Sequence, residues 1–395
     1  MTRHRSQLVS RVFACLATAL AVPAGGSCLA PAAWYSLAGA QPVKVGAAGL
    51  LGEMARRDVV LLGERHDDPD DHRWQLQTLA ALRLLHPKMV IGFEAFPRRV
   101  QSVLERWVAG ELTEKQFLEQ VQWGKVWDLP AEYYMPLFEF ARLNRIPMAA
   151  LNVETSLVKA VGQKGWDGVP QAQKEGVSRP APASAAYRDM LFGIYGAHAM
   201  ARTQGDAAAG QSDPRFLRFV ESQLTWDRAM AEALAARLQS PGSDRPLVVG
   251  ILGSGHVRYG YGVPHQLRAL GVTSVGTLLP VDADSDCSRL KAGLADAVYA
   301  LPPKPPEAAP KPRLGVRVDQ EKGGVTIIEV TPGSLAQSTG LRVGDRIVTL
   351  AGSKVESNAE VIDAVRAQPD GTWLPIQVRR GEQTLDLVIK FPPRP

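Results

Sequence analysis

Two four-residue runs in this sequence share one spelling. Gly63-Glu64-Arg65-His66 and Gly253-Ser254-Gly255-His256 both read Gly-x-x-His, and both follow an apolar run, VVLL and LVVGIL. The glycine lets the backbone turn off the preceding segment, so the histidine three residues on can point back over it. Two imidazoles with the carboxylates Glu64 and Glu94 beside them suit a divalent metal held by His66, Glu94 and His256, or a general base, Glu64 or His66, with its orienting partner. A plainer reading stays open for each residue. His66 can cap the next helix, Asp67, Asp68, Asp70 and Asp71 can be helix N-terminal charges, and Glu94 can pair with Arg98 or Arg99. His72 falls in the first helical turn as a supporting group, and His86 and His265 read as structural.

A second candidate is the run YRDMLFGIYGAHAM from Tyr187 to Met200. At helical spacing it puts Tyr187, Leu191, Ile194, Tyr195 and His198 on one face. Phenolate and imidazole are suitable ligands for ferric haem, and the neighbouring Phe, Ile and Met suit a flat apolar ring. Without a ligand the same face is that of a core-packing helix, and composition does not separate the two.

Such residues need elements to position them. Asp58 to Gly63, Met89 to Phe93, Pro147 to Asn152, Pro246 to Leu252 and Ser274 to Leu279 read as buried strands. Between them, Asp71 to Leu85, Gln101 to Ala109, Thr113 to Val121, Pro136 to Asn144 and Arg215 to Leu238 read as helices. This alternation predicts an α/β domain with a mostly parallel sheet flanked by helices, whose ligands sit outside the carboxyl ends of the strands. Four of those ends carry polar groups: Glu64 to Asp68, then Glu94, then Asn152 and Glu154, then Ser254 and His256. Gln163 to Ala186 and Thr203 to Pro214, rich in Gly, Pro, Ala and Ser, read as long surface loops. Leu301 to Pro312, LPPKPPEAAPKP, is a proline-rich linker. It separates a large domain, residues 28–300, from a small one, residues 313–395, and no internal repeat is present.

Residues 1–27 have the layout of a secretory signal: Arg3, His4, Arg5 and Arg11, then an apolar run from Val12 to Ala24, then Gly25, Gly26 and Ser27 before Cys28. The small residues before Cys28 predict a lipidated first residue and a periplasm-facing lipoprotein. Leu29 after it gives no inner-membrane retention signal of the Asp type, which predicts the outer membrane; a soluble periplasmic protein is the alternative. Of three cysteines Cys15 leaves with the signal, and acylation of Cys28 would leave Cys287 a lone thiol. Lys and Arg outnumber Asp and Glu by 45 to 40, which becomes 42 to 40 once the three signal arginines are removed. With no basic run or basic-aromatic strip, nucleic acid is excluded as a partner.

The blocks DVVLLGERHDDPDDHRWQLQTL, VIGFEAF, WGKVWDLP, YYMPLFEFAR, ALNVE, QLTWDRAMA and GILGSGHVRYGYGVP, in that order, resemble the ChaN-like haem-binding lipoproteins. These form a branch of the superfamily that includes Tiki metallopeptidases and erythromycin-esterase-like proteins, and the resemblance covers roughly residues 33–285. It implies haem binding in iron acquisition, with Tyr195, His198 and Tyr259 as candidate ligands and Tyr261 as a competitor. Arg188, Arg202 and Arg258 are then available for the propionates, and a homodimer would cover the outer haem face. The Tiki side implies instead a metal-dependent hydrolase using His66, Glu94 and His256, with Glu64 as base. The esterase turn, Gly-Glu-x-x-His, is one residue longer than Gly63 to His66. Residues 313–395 are similar to bacterial PDZ domains, which implies a peptide groove lined by Leu314, Gly315, Val316, Val361, Ile362 and Val365 and a protein or peptide partner.

Overall fold

A computed structural model describes residues 29–127, 129–202, 210–238, 245–304, 313–321 and 324–393, and over 197–202 and at 321 the backbone alone. Two compact units meet in sequence at Pro303 and Lys304.

The first unit holds an eight-stranded sheet in the order β2-β1-β8-β7-β3-β6-β4-β5. Its strands are β1 (Ala33–Ser36), β2 (Val43–Val45), β3 (Val59–Glu64), β4 (Met89–Pro97), β5 (Met148–Asn152), β6 (Leu247–Gly253), β7 (Val275–Asp282) and β8 (Ala297–Leu301). The six from β8 to β5 run parallel, and β1 and β2 close one edge antiparallel. Strand periodicity divides the core into two layers. Val60, Leu62, Ile91, Phe93, Val249 and Ile251 face one cluster; Val59, Leu61, Val90, Val248 and Leu252 face the other. That double burial explains why these strands read as continuous apolar runs.

Among the described residues ten α-helices flank the sheet: α1 (Ala47–Met54), α2 (Pro69–Leu85), α3 (Gln101–Val108), α4 (Glu114–Val121), α5 (Trp123–Val126), α6 (Ala131–Leu143), α7 (Thr155–Lys164), α8 (Ala185–Arg202), α9 (Pro214–Ala235) and α10 (Val263–Ala269). α2 and α9 start alike, with Asp68 and Asp213 as caps and proline at the first helical position.

Two expectations change. α6 starts at Ala131, five residues before the predicted Pro136, and carries that proline inside it. Residues 163–186 are not a plain surface loop: Trp166, Val169 and Val177 are buried with Leu157, Val158 and Val161 of α7. Small-residue composition hid three anchors. The short strands β1, β2 and β8 went unread because runs of three to five residues carry little periodic signal.

The second unit is an antiparallel sheet in the order β14-β13-β11-β10-β9, with β12 paired to β11. Its strands are β9 (Val316–Glu321), β10 (Gly324–Val330), β11 (Arg346–Leu350), β12 (Ser353–Lys354), β13 (Trp373–Arg380) and β14 (Gln383–Lys390), joined by helices α11 (Leu335–Thr339) and α12 (Asn358–Arg366). Its own core contains Val325, Ile327, Ile347, Leu350, Ile376 and Val378. β9 lies at the edge of the described sheet, beside α12.

Candidate functional site

β3 and β6 are neighbours in register, with Glu64 level with Gly253. From β3 the chain crosses toward β4 and β5, and from β6 it crosses the other way to β7 and β8, so their carboxyl ends form a topological switch point. There the two Gly-x-x-His runs meet. A Cβ added at Gly253 would lie 2.8 Å from both Cε1 and Nε2 of His66. A Cβ at Gly63 would meet Leu279 and lie 2.9 Å from Ser254 Oγ. Neither glycine has a positive φ, which corrects the expectation that they serve to turn the chain. They are needed for close approach, each making room for a residue of the other run.

Both histidines are held in the same manner. His66 Nδ1–H donates to Glu64 Oε1 (2.8 Å), and Glu64 also accepts from Tyr134 Oη–H (2.6 Å) and Gln75 Nε2–H (2.8 Å). His256 Nδ1–H donates to Asp227 Oδ1 (2.7 Å), and Asp227 accepts from Tyr187 Oη–H (2.7 Å). The result is two tyrosine–carboxylate–histidine chains, one from each Gly-x-x-His run. Glu94 stands between them, accepting the Gly253 N–H at 2.7 Å, with Oε1 3.5 Å from His256 Nε2. Arg98 and Arg99 do not pair with it; they go to Glu232 and Glu154.

The electrostatics follow from this placement. Burial acts to raise the Glu64 carboxyl, but the His66 hydrogen bond and the charges of His72 and His66 bring it below its ordinary value. Burial acts to lower His66, and the Glu64 hydrogen bond and Glu94 charge outweigh it, so the imidazole titrates above its usual range. His256 is pushed up to about 9: burial opposes, and Glu94 and Asp227 win. The two imidazoles differ in access, His66 being 38% exposed and His256 12%. Trp127 sits edge-on to His66 at 4.8 Å, and Trp226 edge-on to His256 at 6.2 Å.

Glu64, expected as the base of a hydrolase, is buried with three donors around it and therefore orients His66. His66, Glu94 and His256 do converge, yet among the described residues no group of three or more His, Cys, Asp or Glu is placed to hold a metal ion. His72 Nε2–H donates to the His66 carbonyl at 3.0 Å. Arg65 grips Asp71 and Asp282 (2.7–3.1 Å), tying α2 to the end of β7, so Asp71 is more than a helix-start charge. His86 and His265 each bind one backbone carbonyl, Lys88 and Pro182.

The predicted helical face over Tyr187 to His198 is α8. Tyr187 is buried and bound to Asp227. Tyr195 is half-buried, its ring 5.7 Å from Phe216 and 5.2 Å from Phe219. Tyr259 takes a left-handed backbone (φ 56°), secured by its N–H on the Leu294 carbonyl, and stacks on Tyr261 at 5.3 Å. It lines a 470 Å³ cavity together with Glu53, Arg57, Arg268 and Asp296. Among the described residues, no hydrogen bond engages the hydroxyls of Tyr195, Tyr259 or Tyr261. The side chains of His198 and Arg202, and all of Cys28, lie outside the described residues.

A family model described as haem-binding uptake, Tiki superfamily, ChaN, matches residues 50–267, more than half of the chain. The chain belongs to the ChaN family. A solved ChaN of Campylobacter jejuni, titled for its cofacial haem binding, is 18% identical and superposes with a TM-score of 0.50, covering 67% of this chain and 96% of that one. At that identity the likeness is one of fold. Beyond the ChaN-family domain, a PDZ model matches residues 312–391. In this region the chain is 46% identical over 66 residues to serine protease HTR4 of Rattus norvegicus and 35% identical over 70 residues to serine protease HTRA1 of Xenopus tropicalis. Those stretches are 17% and 18% of this chain and only 13% and 15% of the relatives' lengths.

In the PDZ unit, Leu314, Gly315, Val316, Val361, Ile362 and Val365 do line one groove, of about 430 Å³, together with Val318, Thr331, Arg313 and Arg366. In the ChaN-family domain, sequence reasoning missed Asp227, Tyr187's part in the His256 chain and Tyr134. Asp227 had a signal. It lies three residues after Leu224 and four before Ala231, both buried, and an acidic side chain on the apolar face of a helix needs a partner.

Proposed function

We propose that this chain carries haem in the cell envelope, contributes to iron acquisition and docks a protein terminus through its PDZ groove. The observation that supports haem most directly is Tyr195. A phenol with no hydrogen-bond partner among the described residues sits against the rings of Phe216 and Phe219 and packs on the apolar cluster that holds Leu191, Val220 and Leu224. A phenolate is a suitable ferric ligand, and apolar surroundings suit the porphyrin face. Tyr259 has no partner for its hydroxyl among the described residues but has charged company, and Tyr187 is committed to Asp227, so the donor set favours Tyr195 as the ligand. Arg188 and Arg258 are the described candidates for the propionates. Cofacial binding in the Campylobacter jejuni protein suggests that a second copy covers the outer haem face here, which makes a homodimer part of the proposal. Export rests on the N-terminal segment, and among the described residues no helix is long and apolar enough to cross a membrane. Haemin titration of the chain from residue 29 tests the reading. Saturable binding with a tyrosinate charge-transfer band, removed by Tyr195→Phe and kept by Tyr259→Phe, supports it; absence of saturable binding refutes it.

A second reading, hydrolysis at the strand ends, is favoured by the paired tyrosine–carboxylate–histidine chains. On this reading His66, the more exposed, would take a proton from water, and His256, held charged by Glu94 and Asp227, would donate one to a leaving group. With a panel of ester and peptide substrates, turnover lost in both His66→Ala and His256→Ala while the haem spectrum is retained would establish it; no turnover by the unaltered chain would remove it.

A further inference from the structure

Cys287 is disulfide-bonded, which overturns the expectation of a lone thiol. The chain has two other cysteines, Cys15 and Cys28, and Cys15 belongs to the apolar stretch of the export signal. The sheet brings the residues that follow Cys28 close to the segment that carries Cys287. Ala33, the first residue of β1, pairs with Ala300 of β8, and Ala300 pairs with Val281 near the end of β7. The chain therefore joins the sheet two strand spacings, roughly 10 Å, from the segment that leads to Cys287. Leu29, four residues before Ala33, is 1% exposed and shares a core cluster with Ala283 and Leu290, which bracket Cys287. Next to it, the Ala30 N–H donates to Tyr35 Oη at 2.6 Å, and the Ala32 N–H donates to the Ala300 carbonyl at 2.8 Å. Leu29 is built into the core and Ala30 and Ala32, though exposed, are hydrogen-bonded to the sheet, where a lipid tether calls for a free leader.

We propose that Cys28 and Cys287 are joined by a disulfide in the mature protein, which staples the start of the chain to the connection between β7 and β8. The bond forms by thiol–disulfide exchange with a disulfide oxidant of the envelope. One cysteine thiolate attacks the oxidant to give a mixed disulfide, and the second displaces the oxidant's sulfur. Two protons and two electrons leave the pair, and the oxidant departs as a dithiol. The same Cys28 sulfur cannot also carry a diacylglyceryl thioether, since its two bonds are then to Cβ and to Cys287. Stapling thus selects the soluble periplasmic alternative over the anchored one.

The test uses the chain from residue 1, expressed in a Gram-negative host and purified without reductant after free thiols are capped with iodoacetamide. Peptide mapping should find one cross-linked pair containing Cys28 and Cys287 that separates on reduction, with under a tenth of either sulfur alkylated and the protein in the soluble periplasmic fraction. In Cys287→Ser, Cys28 should become fully open to alkylation. Diacylglyceryl at Cys28, both cysteines alkylated in the unaltered chain, or a Cys287–Cys287 link between two copies would each overturn the proposal.

Discussion

The strand-end cluster and the α8 shelf treat their tyrosines in opposite ways. At the strand ends Tyr134 and Tyr187 are buried, and each donates a hydrogen bond to a carboxylate that in turn holds a histidine. Both phenols are driven far above their ordinary titration range, first by burial and then by the neighbouring negative charge. On α8, two turns beyond Tyr187, Tyr195 has an apolar bed and a hydroxyl with no described partner. The first arrangement spends its hydrogen bonds internally and fixes geometry; the second keeps a ligating atom in reserve. One helix contributes to both, so anything that seats on α8 leans on the residue that braces His256.

The largest effect that would break this contrast is on folding. Asp227→Ala strands His256 and the Tyr187 hydroxyl in the interior and should cost about 3–5 kcal/mol, read from urea midpoints; an unchanged midpoint would mean the cluster does not hold the fold. Next comes pH. The folded value of His256, about 9, lies above the ordinary 6.5, so its contribution is complete below about 6.5 and is lost as pH rises through about 9. That amounts to about 3 kcal/mol. Histidine NMR titration should show the high midpoint, and Asp227→Asn should lower it; a midpoint near 6.5 in the unaltered protein would contradict the ion pair. Tyr195→Phe should weaken haem at least about tenfold, about 1.4 kcal/mol, while changing stability by under about 0.5 kcal/mol. The smallest effect belongs to Tyr187→Phe, which removes one hydrogen bond and should cost about 1 kcal/mol without abolishing the haem band. A lost band would move the ligand from Tyr195 to the neighbouring phenol.

The elements that carry the strand-end site were legible because doubly buried strands leave continuous apolar runs. Val59 to Leu62 and Leu247 to Leu252 could hardly be anything else, and the polar residues after them stood out against that background. Partnerships were less legible. Asp227 lies 29 residues from His256 and Tyr134 lies 70 from Glu64, and no local pattern links residues that meet only through tertiary packing. Residues 163–186 misled in the other direction, since Trp166, Val169 and Val177 are spaced too irregularly to show a period yet are buried. Residues 313–366 gave the PDZ groove more readily, because a loop, an edge strand and a helix supply it from short contiguous segments.

The empty positions at Gly63 and Gly253 bind the two Gly-x-x-His runs into a single heritable unit. A side chain at 253 would collide with the imidazole of the first run, and one at 63 would collide with the serine of the second. Neither run can be rebuilt in a design by itself: a side chain added at 63 or 253 has to be accommodated by the other run, although 186 residues of sequence lie between His66 and Gly253.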